Sequence, residues 1–161
     1  MSITRVRIYV DTSVVGGCHD DEFLESSQEL FDRFRNGSAV LVHSVLLRRE
    51  LVRAPRAVRE TIEQLPDEAK EMTSLTEDAV RLSDAYIEAG AIETEFRSVA
   101  RHIALATCAE VDILASWGFR HMVNRDRIKA YNRVNLRMGR TELRILHPVE
   151  IERARQSASP V

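Results

Sequence analysis

The sequence predicts an α/β fold in which helices cover both faces of a parallel sheet. Short apolar runs alternate with amphipathic segments along the chain, which is the order expected for strands joined by helical crossovers. The first run, Val6 to Val10, is largely apolar, as a strand covered on both faces requires. It ends abruptly in Asp11. With 161 residues the chain has the length of one domain with a sizeable core.

The first part of the chain predicts a strand, a helix and a second strand. After the strand at Val6 to Val10, apolar residues recur from Phe23 at three-, four- and seven-residue spacings, and this helix ends near Asn36. The apolar run within Ser38 to His43 predicts a second buried strand.

The middle of the chain predicts two short helices, an extended segment and a longer helix. Ser44 is suited to cap the first helix, Val45 to Val52, since serine accepts hydrogen bonds from the backbone of a first turn. Prolines bound the second helix, a threonine caps the longer one and a glycine ends it. The predicted bounds are 56–64 for the second short helix, 70–75 for the extended segment and 76–89 for the longer helix.

The last part predicts a long helix, a strand, a helix and a final strand, over residues 98–110, 111–116, 124–138 and 143–146. Residues 149–156 are predicted to form a short terminal helix or a tail. We therefore expect a single domain over residues 1–150, followed by a C-terminal tail over residues 151–161.

Composition excludes several classes of protein. The formal net charge is −2, so no global basic field indicates a nucleic-acid partner, and any such binding must come from a local patch. The two cysteines, Cys18 and Cys108, match no metal-binding spacing and favour a reducing compartment. No apolar run approaches the roughly 20 residues that cross a bilayer. We expect a cytoplasmic protein without membrane contact.

Asp11 is the first candidate for chemistry. Ligands collect beyond the carboxyl ends of parallel strands, and the ends after Val10, Val42 and Ala115 should converge at one edge. A carboxylate there is costly to desolvate unless it meets a cation, a metal or several donors. The alternative is that Asp11 simply caps a following helix.

Glu50 is the second candidate, on the helix after the second strand. It lies among Arg48, Arg49 and Arg53, so it is either a surface ion-pair partner, worth about 0 to 1 kcal/mol, or a second carboxylate facing Asp11.

Four segments resemble one known family. The runs IYVDTSVVGG, LLRRELVRAP, ARHIALATCAEVDILASWGFRHMVN and VNL, spread over residues 5–148, are similar to PIN-domain proteins of the group related to VapC-like toxins. The resemblance implies a three-layer α/β/α fold with a central parallel sheet of four to five strands. It also implies an endoribonuclease, the toxin of a toxin–antitoxin system, in which clustered carboxylates hold Mg²⁺ or Mn²⁺. RNA, a small antitoxin protein and a second copy are the partners that it implies.

The family's site residues carry over in part. Asp11 matches the first carboxylate, Ser13 the hydroxyl two positions later, and Glu50 the second carboxylate, so the resemblance implies catalytic and metal-binding roles for both acids. Ser13, Arg101 and His102 become candidate substrate-binding residues. The alternative for His102 is a core histidine, because it lies on a mostly apolar helix face.

Two expected ligand positions are degenerate. Val99 stands where the family has its third acid, and Gly118 stands at the fourth polar position. Glu95, one helical turn before Val99, is a candidate substitute metal ligand, since residues four apart share a helix face. Asp112 should be too far away, at the opposite end of its strand.

Three hypotheses follow: a weakened or repaired endoribonuclease, an inactive PIN-like module that binds RNA or a protein, or an active protein in which Val99 is an engineered change. The residues available to contact RNA are basic side chains around the second helix and near the later strand end. The alternative is that these side chains simply form a solvent-exposed surface. They are Arg48, Arg49, Arg53, Arg56, Arg97, Arg101, Arg120, Arg125 and Arg127.

Overall fold

The computed structural model describes residues 5–158 and has the predicted α/β architecture. Five parallel strands form one sheet in the order β3-β2-β1-β4-β5. The strands are β1 (Val6–Val10), β2 (Ala39–Ser44), β3 (Lys70–Thr73), β4 (Ile113–Ala115) and β5 (Ile145–Leu146). The central position of β1 explains its apolar sequence, since Ile8, Tyr9 and Val10 are fully buried.

Helices connect the strands and cover both faces. They are α1 (Thr12–Gly17), α2 (Leu24–Arg35), α3 (Val45–Leu51), α4 (Arg56–Glu63), α5 (Glu77–Glu88), α6 (Arg97–Cys108), α7 (Arg125–Arg137) and α8 (Pro148–Ala158). Short 3₁₀ turns occupy Asp67–Ala69 and Thr94–Phe96. Over the described residues, no helix has the length and apolar character needed to cross a membrane.

Two hydrophobic cores lie on opposite faces of the sheet. One joins Ile8 and Val10 to the helices α1, α2, α4 and α8, and the other joins Tyr9 to α5, α6 and α7. Successive residues of β1 therefore enter different cores, as the alternation of a strand requires. The expectation of three α/β/α layers is confirmed.

The predicted helix caps are confirmed. The Ser44 hydroxyl accepts a hydrogen bond from the backbone N–H of Leu47 at 3.1 Å, and Thr76 accepts one from Ala79 at 3.2 Å. Gly90, with φ of +76°, follows α5 in the left-handed conformation that glycine adopts without strain.

The main differences from the sequence prediction lie at α1 and α8. The six residues of α1 follow Asp11 directly, and Gly17 allows close packing there, because an added Cβ would lie 2.5 Å from Ser27 Oγ.

The predicted domain boundary at residue 150 falls inside α8, which packs against α2 and buries Ile151. The folded unit thus continues into the segment predicted as a tail; residues 159–161 lie outside the described residues.

Candidate active site at the carboxyl edge of the sheet

Asp11 lies at the carboxyl end of β1 and is only 7% exposed. It is the N-cap of α1, and its Oδ1 accepts hydrogen bonds from the Ser13 hydroxyl at 2.6 Å and the Val14 N–H at 3.3 Å. Its Oδ2 accepts from the Ser116 hydroxyl at 2.6 Å. Burial raises the pKa of Asp11, and the hydrogen bonds from Ser116 and Ser13 oppose that rise. The chain itself therefore supplies three donors to this carboxylate.

The two serines fix the acid against the loop that follows β4. Ser13 Oγ accepts a hydrogen bond from the Trp117 N–H at 2.9 Å, and Ser116 Oγ accepts one from the Gly118 N–H at 2.9 Å. The carboxyl ends of β1 and β4 meet here, as expected for neighbouring parallel strands. Asp11 therefore caps α1, as the sequence-based alternative predicted, and it is also held by Ser116 after β4.

Glu50, an exposed residue, is the outer end of a chain of polar groups whose other members, His102, Tyr9 and Ser44, are buried. It is bonded to His102 Nε2, and His102 Nδ1 lies 2.7 Å from the Tyr9 hydroxyl. That hydroxyl lies 2.8 Å from Ser44 Oγ. The chain joins β1, the end of β2, α3 and α6. A neutral imidazole satisfies every member when Ser44 donates to Tyr9, Tyr9 donates to Nδ1, and Nε2–H donates to Glu50.

Charge links the polar chain to the acid beside it. The pKa of Tyr9 is raised, mainly by burial and further by the charges of Asp11 and Glu50. Asp11 and Glu50 nevertheless belong to separate hydrogen-bonded groups at this edge: Glu50 is joined to His102 and Tyr9, whereas Asp11 is joined to Ser13, Val14 and Ser116.

The remaining candidate residues lie in different surroundings. His102 is 3% exposed, with both ring nitrogens bonded inside the protein. Arg101 is half-buried on α6, and its Nε has no hydrogen-bond partner. Glu95 is exposed in the turn Thr94–Phe96, where its charge acts on His121, and it forms no hydrogen bond or ion pair to Asp11 or Glu50. The substrate and metal roles of these residues stay predictions.

The two degenerate positions are integrated into the fold. Val99 is half-buried and packs against the core formed by α5, α6 and α7. Gly118 lies over Ser116, and an added Cβ would approach Ser116 Oγ to 3.2 Å. A side chain at position 118 would therefore press on the hydroxyl that holds Asp11.

Solved structures provide the comparison that sequence searches do not. No protein-family model matches the chain, and no curated protein matches it. Its structure is similar to that of VapC20 from Mycobacterium tuberculosis, described as a sarcin–ricin loop cleaving toxin, with a TM-score of 0.54 and 15% identity over 70% of this chain and 91% of that one. It is also similar to VapBC2 from Rickettsia felis, solved with a promoter DNA fragment, with a TM-score of 0.54 and 9% identity over 88% and 98% of the two chains. The chain has the PIN-domain fold of VapC toxins.

The side chains at this edge of the sheet do not fit the divalent metal that the resemblance implies. Mg²⁺ and Mn²⁺ require several oxygen ligands. Among residues 5–158, no group of three or more Asp, Glu, His or Cys side chains is arranged to hold a metal ion. Both oxygens of Asp11 are occupied by internal donors, and Glu50 is bound to His102.

A basic groove runs beside α3, and Glu50 does not line it. It is a cavity of about 770 Å³ with a largely apolar lining, to which the arginines Arg48, Arg49 and Arg59 contribute, and its other charged lining residues are Lys70, Glu63 and Asp67. None of these three arginines forms an ion pair within the described part of the chain, whereas Arg56, Arg97 and Arg127 are paired with acids. Arg53, Arg120 and Arg125 are exposed and likewise unpaired within that part.

His43 forms part of the wall of this groove. It is largely buried, and its Nδ1 has no hydrogen-bond partner. Burial, together with the charges of Arg48 and Lys70, lowers the pKa of His43 to about 4. The groove therefore keeps this imidazole neutral, and its positive charge comes from the three arginines and Lys70, which outnumber the acidic Glu63 and Asp67.

Sequence reasoning missed three members of the site: Tyr9, Ser44 as its partner, and Ser116. Tyr9 is the one residue of its apolar run with a hydroxyl, and a buried hydroxyl needs a partner, so a signal was present. Ser116 immediately follows β4 at the converging edge. The identity of their partners depends on side-chain directions that only the folded structure provides.

Proposed function

We propose that this PIN domain binds RNA at the carboxyl edge of its sheet, as the toxin-side member of a toxin–antitoxin pair, without hydrolysing it through a metal cluster. The observation that carries the proposal is the state of Asp11. A carboxylate that accepts three internal hydrogen bonds, with valine and glycine at the other expected ligand positions, is held as a structural acceptor.

The distribution of arginines supports RNA as the ligand. Arg48, Arg49 and Arg59 surround the groove beside α3, and Arg120 and Arg125 lie in and after the loop that follows β4. Unpaired guanidinium groups bind phosphates, and they create a local positive surface on a chain whose net charge is −2. One structural neighbour is itself described as cleaving the sarcin–ricin loop.

The partner proposal rests on the second neighbour, whose solved structure is VapBC2 bound to a fragment of promoter DNA. We propose a small antitoxin protein as the partner of this chain. Both cysteines are free thiols, which supports a cytoplasmic setting. The homodimer implied by the sequence resemblance stays a prediction.

A weakened metal-dependent endoribonuclease is the second candidate. It is favoured by the retention of both acids, Asp11 after β1 and Glu50 on the helix that follows β2. Mg²⁺ or Mn²⁺ bound there would polarise the phosphate and orient a water molecule. Glu95 would have to move from its exposed turn to serve as a ligand.

Metal and RNA titrations separate the two candidates. We would titrate the purified protein with MnCl₂ by calorimetry and measure binding and cleavage of an end-labelled single-stranded RNA with and without Mn²⁺. We expect RNA binding, no metal-dependent cleavage and no Mn²⁺ binding. Val99→Asp should introduce Mn²⁺ binding, because it adds a third carboxylate at the expected position; Val99→Asn is the uncharged control.

Two results would overturn the proposal. Failure of the wild-type protein to bind RNA would remove its basis. Cleavage that requires Mn²⁺ and is lost in Asp11→Asn would establish the endoribonuclease instead. Cleavage that persists in Asp11→Asn indicates a contaminating nuclease, so the preparation would be purified further until this variant is inactive before the wild type is scored.

A further inference from the structure

We infer that Phe119 is a stacking platform for an unpaired RNA base, placed next to Asp11 by the loop that follows β4. The inference rests on the proposed RNA binding and adds the class of RNA that this edge recognises. It concerns a part of the surface that neither the acid site nor the basic groove includes.

Phe119 is the outermost ring of an aromatic cluster. The ring of Trp117 is stacked on Phe23 with centroids 4.4 Å apart and lies parallel to His147 at 5.8 Å. Phe119 packs against both Trp117, at 6.0 Å, and His147, at 5.4 Å. Trp117 is 9% exposed, whereas Phe119 is 49% exposed. The inner rings therefore support an outer ring that is open to solvent.

The cluster is tied directly to the acid site. The Trp117 N–H donates to Ser13 Oγ, and the same hydroxyl donates to Asp11. Backbone hydrogen bonds from Phe119 to Trp117 at 2.9 Å and from Met122 to Gly118 at 3.0 Å fix the loop. A base on Phe119 would thus lie beside the carboxyl edge without any rearrangement of that loop.

The chemistry of the loop favours a nucleobase. A single half-exposed ring offers one flat apolar face, which suits a planar ring and is small for a protein interface. Arg120 follows Phe119 in sequence, is exposed and forms no ion pair within the described residues, so it can contact the phosphate next to a stacked base. Bases that are not base-paired can unstack from their neighbours and stack on an aromatic side chain instead. The expected ligand is therefore single-stranded RNA.

Trp117 provides a direct reporter, since it is the only tryptophan in the chain. We would titrate the full-length protein with a ten-nucleotide oligoadenylate and follow Trp117 fluorescence and the dissociation constant. Phe119→Leu keeps an apolar side chain but removes the aromatic face, and it should weaken binding by about 5- to 100-fold. Phe119→Tyr keeps the face and should bind like the wild type. Leu136→Ala, which alters another exposed apolar residue, on α7, should change nothing.

Salt dependence and a duplex of the same length complete the test. Phe119→Leu should leave the slope of log K against log salt unchanged, because stacking neutralises no phosphate, whereas Arg49→Gln should reduce it. Equal binding by wild type and Phe119→Leu would overturn the inference and leave the proposed function intact. Equal binding of the duplex, or equal weakening by Phe119→Tyr, would also overturn it. Absence of RNA binding by the wild type would overturn both proposals.

Discussion

At the scale of single residues, Asp11 depends on a hydroxyl that lies 105 positions away in the sequence. Ser116→Ala removes the hydrogen bond to a buried carboxylate and the acceptor of the Gly118 N–H. We expect the free energy of unfolding at pH 7 to fall by about 1.5 to 3 kcal/mol, the range for hydrogen bonds to charged groups. Urea denaturation measures this change.

A double-mutant cycle that combines Ser116→Ala with Asp11→Asn tests whether the loss of unfolding free energy comes from the contact with Asp11. In an Asp11→Asn background the cost of Ser116→Ala should shrink, since the charge is gone. Ser83→Ala is the matched control, because Ser83 is buried and its hydroxyl donates only to the neutral Val80 carbonyl. It should cost about 0.5 to 1.5 kcal/mol. Additive losses in the cycle would contradict a coupled pair.

His43 predicts a pH dependence of stability. Its pKa falls from 6.5 to about 4 on folding, so between these values the unfolded chain binds more protons than the folded one. Stability should therefore rise with pH over this window and be lost as pH falls through it. His43→Gln should reduce the slope of unfolding free energy against pH by up to about 1.4 kcal/mol per pH unit.

Arg48 is the natural comparison for this effect. Arg48→Gln removes a positive charge that lowers the pKa of His43 in the folded protein, so the loss should still begin near pH 6.5 but should be complete at a higher pH than in the wild type. An unchanged slope in His43→Gln, measured by denaturation at several pH values, would show that another group produces the dependence.

Sequence alone predicts the carboxylates but not their partners. Asp11 is visible because one polar residue ends an apolar strand, and Glu50 because it follows the next strand. The contacts of Tyr9, His102 and Ser116 join residues more than 90 positions apart. Whether His102 faces a core or a cleft depends on the rotation of α6 against β1, and periodicity does not determine that rotation to within one side chain.

At the scale of elements, Ser44 has two functions at the junction of β2 and α3. It caps the helix that carries Glu50, and it contacts the buried Tyr9 hydroxyl. Ser44→Ala should lower the free energy of unfolding by about 2 to 3 kcal/mol, because a cap and a buried hydrogen bond are lost together. Thr76→Ala, which removes an exposed cap alone, should cost about 1 kcal/mol.

Thermal or urea unfolding of Ser44→Ala and Thr76→Ala measures the loss of unfolding free energy in each variant, and the two losses are compared. Equal losses would mean that the Tyr9 contact adds nothing to α3. The same two residues show what sequence provides at this scale: both caps could be predicted from residue type and position, whereas the six-residue α1 could not. Two of its residues are glycines, which are poor helix formers, and burial of Val14 and Val15 stabilises it.

At the scale of the whole molecule, the two cores require helices from distant parts of the chain. Alternation of strands and helices was sufficient to predict a parallel sheet with layers on both faces, because few topologies satisfy that order. The contribution of α8 was not predictable in the same way. Its apolar residues are few, and its membership of the core depends on contact with α2.

Ile151 tests whether α8 is part of the folded unit. It is 2% exposed and lies in the same core as Ile8 and Val10 of β1, the strand that Asp11 follows. Ile151→Ala should lower the free energy of unfolding by about 2 to 5 kcal/mol, the cost of deleting buried methyl groups. Arg153→Ala, at an exposed position of the same helix, should stay within about 0.5 kcal/mol of wild type. If α8 were an independent tail, Ile151→Ala and Arg153→Ala would unfold at the same urea concentration. A chain ending at residue 150 would then also be as stable as the 161-residue chain. We expect instead that the truncated chain unfolds at a markedly lower urea concentration, because it loses the contact between α8 and α2.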